Sequence, residues 1–189
     1  PLQNAPRQKV ITEVELAALL PTLKSHHGVC AKFMLLTGAR ITETTAATWS
    51  QIDLEAKTWT IPPENLKDTR ALQARRHKPK QALAIPLSRQ AIQLLTDAQQ
   101  AETERRQLNC LQEEIRKQDL LFVGPRGSRL GNWDRWLKAT TATTGITGWS
   151  AHALRRTTAT LAGDLGAPPH IVSVILGHSN VGGQLVAGY

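Results

Sequence analysis

Arginine, histidine and tyrosine are spaced along this chain in a way that suits chemistry at phosphorus. Arg40 lies in Gly38-Ala39-Arg40-Ile41-Thr42-Glu43, and Arg155 closes His152-Ala153-Leu154-Arg155. Gly177-His178 follows, and Tyr189 is the only tyrosine. A guanidinium offers a planar fork of parallel, charge-assisted hydrogen bonds to phosphate oxygens. Two of them could neutralise a pentavalent phosphorus transition state without a metal. His152 stands one helical turn before Arg155, on the same face, and an imidazole can take or give a proton near neutral pH. A phenol, with a pKa near ~10, is a poor nucleophile until cations or a base help it ionise.

Each residue alone has an ordinary explanation. Surface arginines are common, histidines are often structural, and a positive charge after Gly177 suits a helix end. The surrounding residues carry more. Thr37-Gly38-Ala39-Arg40-Ile41-Thr42-Glu43, with Trp49 and Ile52-Asp53 behind it, resembles the first arginine motif of the tyrosine recombinase (phage integrase) family. Pro86-Leu87-Ser88 resembles the end of that family's strand hairpin. His152-Ala153-Leu154-Arg155-Arg156-Thr157 followed by Ala159-Thr160 resembles its second box, and Ile175-Leu176-Gly177-His178-Ser179 its third. The likeness runs from about residue 10 to 189.

The resemblance implies a catalytic domain, mainly α with a small antiparallel three-stranded sheet, that breaks and rejoins DNA with no cofactor. Arg40 and Arg155 resemble the pair gripping the scissile phosphate, and Glu43 the acidic residue supporting them. His152 and His178 resemble the residues that hydrogen-bond the phosphate and handle the nucleophile's proton. Tyr189 resembles the nucleophile, leaving a 3′-phosphotyrosyl link and a free 5′-hydroxyl. The family's leaving-group lysine is matched by Lys67, with Lys78 and Lys80 as alternatives. The family also implies four protomers on two DNA segments, double-stranded DNA with a specific crossover site as partner, and a cytoplasmic setting. A type IB topoisomerase uses similar chemistry, and a non-cleaving DNA-binding relative is the reading from another class.

Some positions depart from the family's pattern. The spacing from His178 to Tyr189 is longer than usual, and Ala153 stands where an acidic residue is common. The segments 67–81 and 99–117 read as insertions. The chain begins without Met and stops on Tyr189, so it is expected to be one catalytic domain, residues 1–189, of a longer protein, monomeric when isolated.

The elements that must position these groups follow from pattern. Thr12 and Glu15 form a capping box opening a helix with Leu16, Leu19 and Leu20, interrupted by Pro21. A second helix is predicted over Gly28 to Thr37, with Val29, Phe33, Leu35 and Leu36 as apolar surface. Gly38 ends it, and a third runs from Ile41 to about Trp49. Thr58–Pro62 and Ala82–Leu87 alternate as paired strands, with a third short strand at Ile52–Leu54. Their Lys/Arg-rich connection is too long for a tight hairpin. Ser88 caps a helix through Leu95, and 99–117 continues as a solvated helical extension with Leu108, Leu111 and Ile115 on one face. Asn132 to Thr144 is a helix bearing Trp133, Trp136 and Leu137. Ser150 caps the helix of His152 and Arg155, ending near Gly166. Pro168 and Pro169 start the last one, with Ile171, Val172 and Ile175 inward.

Composition agrees with a folded DNA-acting chain. Of its 189 residues 41% are hydrophobic, enough for a core, and no run is long enough to span a membrane. The net charge of +8 suits a polyanionic partner. Arg70, Arg75, Arg76, His77, Lys78 and Lys80 crowd one segment as candidate DNA contacts. Arg126, Arg129 and Arg135 are further candidates, or else solvated charges. Cys30 and Cys110 lack metal-site spacing and read as reduced thiols.

Overall fold

The computed structural model describes residues 9–66, 81–108, 115–116, 118–124 and 127–177. Its helices are α1 (Glu13–Leu19), α2 (His26–Thr37), α3 (Ile41–Thr45), α4 (Arg89–Leu108), α5 (Trp133–Thr144), α6 (Ala151–Asp164) and α7 (Pro169–Ile175). Strands β1 (Ile52–Asp53), β2 (Thr58–Ile61) and β3 (Leu83–Pro86) form one antiparallel sheet in that order.

Helix α2 is the axis of the fold. Gly28, Cys30, Ala31, Phe33, Met34 and Thr37 are all buried, on more than one side. A helix apolar around much of its circumference belongs inside, where several elements can cover it. Here α6, α4 and α3 do so. The expected apolar stripe is thus redistributed: Phe33 is buried, Val29 and Leu35 are half-buried, and Leu36 is exposed. The Phe33 ring lies 5.2 Å from Trp59 of β2 and 5.3 Å from Phe122, tying helix, sheet and the 120s segment into one core. Burial at the centre pushes the Cys30 thiol's pKa up, leaving it protonated and inert.

The local signals act as their chemistry dictates. Thr12 and Glu15 form the reciprocal capping box, and Ser150 accepts from the Ala153 N–H to start α6. Ser88 does the same for α4 through the Ala91 N–H, at 3.2 Å. The sheet register pairs Ile52 with Trp59 and Ile61 with Leu83, so the long connection leaves and re-enters the sheet at adjacent positions.

Three expectations change. Helix α3 stops at Thr45 rather than near Trp49, because long-range pairing takes over the next backbone groups. The Leu121 N–H donates to the Ala47 carbonyl (2.8 Å) and the Trp49 N–H to that of Asp119 (3.1 Å). The charged half of α4 is not merely solvated: Arg106 reaches Asp119 at 2.9 Å and fastens the helix to the segment that pairs with 47–49. Leu108 at its end is 85% exposed, Ile115 is half-buried but outside any helix, and Leu111 lies outside the described residues. Finally, Ile171, Val172 and Ile175 of α7 are half-buried, with α6 as the neighbour against which α7 packs most.

At the far end of α2, His27 stacks on Trp136 (5.6 Å) and meets Trp133 edge-on (5.0 Å). Its Nε2 donates to the Gly131 carbonyl at 2.6 Å, which seats the start of α5.

Candidate active site

Arg40 is held by the turn between α2 and α3. The chain must reverse sharply after Thr37, and Gly38 does so with φ +66°, its N–H closing on the Met34 carbonyl at 2.8 Å. Two residues on, Arg40 is extended and caps α3. Its N–H donates to Glu43 Oε2 (2.8 Å) and its Nη1 to Glu43 Oε1 (2.7 Å). One carboxylate thereby fixes both the backbone and the guanidinium of Arg40. Glu43 is 1% exposed, while the Arg40 side chain remains 21% exposed. The carboxylate is buried support and the cation faces outward.

Arg155 approaches from the second turn of α6. It is only 5% exposed, yet carries a charge, so its donors must be satisfied. Nη1 donates to the Gly38 carbonyl at 2.5 Å, and Nη2 to the Leu176 carbonyl at the end of α7. The fork has donors left over after those two bonds. Burial lowers the pKa of Arg155, the neighbouring Arg40 cation lowers it further, and Glu43 opposes both. The result, about 10, leaves the group ionised at neutral pH. Among the described residues Glu43 pairs with Arg40 and acts on Arg155 only through its charge, so two guanidiniums stand against one carboxylate. Guanidinium donors with positive charge in excess are suited to an anion.

The end of α7 closes this arrangement. Gly177 has φ +60°, and a Cβ there would sit 2.9 Å from Leu83 Cδ2 and 4.0 Å from Arg40 Nη1. The left-handed backbone is what calls for glycine here, and the Leu83 methyl would also have to move aside for any side chain. The turn after α2, the second turn of α6, the end of α7 and the first residue of β3 therefore meet at one place.

His152 lies one turn before Arg155 in the first turn of α6 and is exposed. Lys67, His178 and Tyr189 lie outside the described residues, as do Arg70, Arg75, Arg76, Lys78, Lys80 and Arg126. Arg135 is exposed on α5. Arg129 turns its guanidinium onto Thr42 and Thr45 of α3. Sequence reasoning missed the two carbonyl partners of Arg155 and this grip on α3. No local signal marks either, since the partners are far apart in the chain. Among the described residues no group of three or more His, Cys, Asp or Glu could hold a metal ion. No described helix is long and apolar enough to cross a membrane.

The model of the phage integrase family matches residues 9–183. Among solved structures, the XerA recombinase superposes with a TM-score of 0.66 at 18% identity, covering 90% of this chain and 56% of that one. The Tn1549 transposon integrase in complex with transposon right end DNA gives 0.69 at 20% identity, covering 94% and 60%. The catalytic domain of bacteriophage HP1 integrase gives 0.56 at 19% identity, covering 90% and 81%. The chain spans less than two thirds of the first two. No curated protein matches it.

Proposed function

Because the chain belongs to the phage integrase family, we propose that it is the catalytic domain of a site-specific DNA recombinase serving integration of a mobile element or prophage. The observation that carries this reading is the pair Arg40 and Arg155 around the buried Glu43, with net positive charge at one point. A phosphodiester is the anion such a fork pair suits best.

The proposed reaction runs in two transesterifications. The phenolic oxygen of Tyr189 attacks the scissile phosphorus as its proton passes to a histidine, His152 or His178. Arg40 and Arg155 hold the non-bridging oxygens and take up the charge that builds on them. The phosphorus–O5′ bond breaks, and the departing oxygen takes a proton from Lys67, Lys78 or Lys80. A 3′-phosphotyrosyl bond and a free 5′-hydroxyl result. The 5′-hydroxyl of a second strand then attacks that bond and restores the tyrosine. The phosphodiester energy is kept in the covalent link, so the steps call on neither ATP nor a metal. Double-stranded DNA with a crossover site is the proposed partner, and four protomers the proposed assembly.

A nicked suicide duplex drawn from the DNA flanking the gene tests this directly. The wild-type chain is expected to form a covalent protein–DNA adduct on it, and Tyr189→Phe to form none, since no other tyrosine is present. An adduct of equal yield from the Phe variant would remove Tyr189 from its role. Relaxation of plain supercoiled plasmid by the wild type would instead favour the topoisomerase-like reaction.

A further inference from the structure

We propose that Arg129 is a positioning residue for the arginine–glutamate pair, acting through α3 rather than by contact with DNA. This rests on the recombinase reading for its consequence in catalysis, but its geometry stands alone.

The starting point is that α3 is only five residues long. A helix that short is not stable by itself, because nucleation costs more than its few hydrogen bonds return. Both its ends must be held by side chains beyond its own backbone bonds. At the N-terminal end the hold is Arg40 with Glu43, which is the candidate site itself. At the C-terminal end it is Arg129. Its Nε and Nη2 both donate to Thr45 Oγ1, at 3.0 and 2.8 Å, and Nη2 also donates to the Thr42 carbonyl at 2.9 Å. Thr45 Oγ1 in turn donates its own proton to the Ile41 carbonyl at 2.8 Å. A hydroxyl has one proton to give and lone pairs to accept with, so these bonds are mutually consistent. The relay ends at Ile41, the residue after Arg40.

The electrostatics point the same way. The last carbonyls of a helix carry partial negative charge, and a cation placed on them is stabilising. Arg129 itself is set by backbone pairing: it bridges Val123, and the Gly124 N–H donates to the Ser128 carbonyl at 2.8 Å. The same segment, further upstream, supplies the Asp119 and Leu121 bonds that end α3. One stretch of chain therefore clamps the whole C-terminal side of the helix that presents Arg40 and Glu43.

Thr45 decides the matter experimentally, because it is 4% exposed and has no access to DNA. The experiment measures two quantities for the full chain: sulfate affinity, from the sulfate dependence of the melting temperature, and the salt slope of binding to a non-specific duplex. Arg129→Met and Thr45→Val are each expected to weaken sulfate binding about tenfold, the cost of misplacing one charged donor. Thr45→Ser, which keeps the hydroxyl, is expected to restore it. The double variant is expected to lose no more than either single change, and the salt slope to stay at the wild-type value. A fall in the slope by about one in Arg129→Met would make Arg129 a phosphate contact and overturn the proposal. Unchanged sulfate affinity in Thr45→Val would overturn it equally. If the wild type makes no adduct on the suicide duplex while Thr45→Val still weakens sulfate binding, the recombinase reading fails and the positioning role stands.

Discussion

Arg155→Ala is expected to abolish the sulfate-dependent rise in melting temperature and to slow adduct formation by about 10²–10³-fold, the usual cost of removing one preorganised charged donor from a transition state. The same change strips the Gly38 and Leu176 carbonyls of the donors they now have. Buried acceptors left unpaired cost about 1–3 kcal/mol each, so the variant should also melt earlier without any ligand. Arg155→Lys separates the two effects. An ammonium keeps the charge but is a single point donor that does not span both carbonyls and an anion. It should retain weak sulfate binding and lose most of the rate. Sulfate titrations by thermal melting and adduct yields on the suicide duplex measure both. Unaltered sulfate stabilisation in Arg155→Ala would show that the anion site lies elsewhere.

Glu43→Gln should be the most destabilising conservative change at the site. The carboxylate is buried, pairs with the Arg40 guanidinium, accepts the Arg40 N–H and offsets Arg155. Neutralising it leaves two neighbouring cations without their shared counter-charge. Breaking such a pair costs about 3 kcal/mol. For a domain of this size that corresponds to a melting temperature lower by roughly 10 °C. Because the defect is missing negative charge, sulfate should recover more of the loss in this variant than it adds to the wild type. Calorimetric melting with and without sulfate at matched ionic strength decides it. Equal stability of the two proteins would mean that Glu43 is not the counter-ion described.

How much of this was legible in the sequence depends on the range of the interaction. Thr12 with Glu15, Ser88 and Ser150 were readable because a cap bonds a backbone group two or three residues away. The three strands were readable because alternation is local. Glu43 beside Arg40 was expected through likeness to a family, and its salt bridge to Arg40 is the contact found. The early end of α3 was not, since its cause lies in backbone pairing with Asp119 and Leu121. The role of Arg129 was hidden for the same reason: its partners are Thr42 and Thr45, and an arginine between Ser128 and Leu130 in a loop looks equally suited to DNA or to water. The convergence of Arg40 with Arg155 was expected only through likeness to a family, and no spacing rule would have produced it.

The sheet register carries one more implication, for the lysines. Ile61 and Leu83 are partners, and Leu83 lies against Gly177 beside Arg40. Both stems of the long connection are thus anchored next to the guanidinium pair. Covalent geometry limits position 67 to about 21 Å of contour from Ile61, and position 80 to about 10 Å from Leu83. A change of register between β2 and β3 would therefore move Leu83 away from the end of α7 and from Arg40.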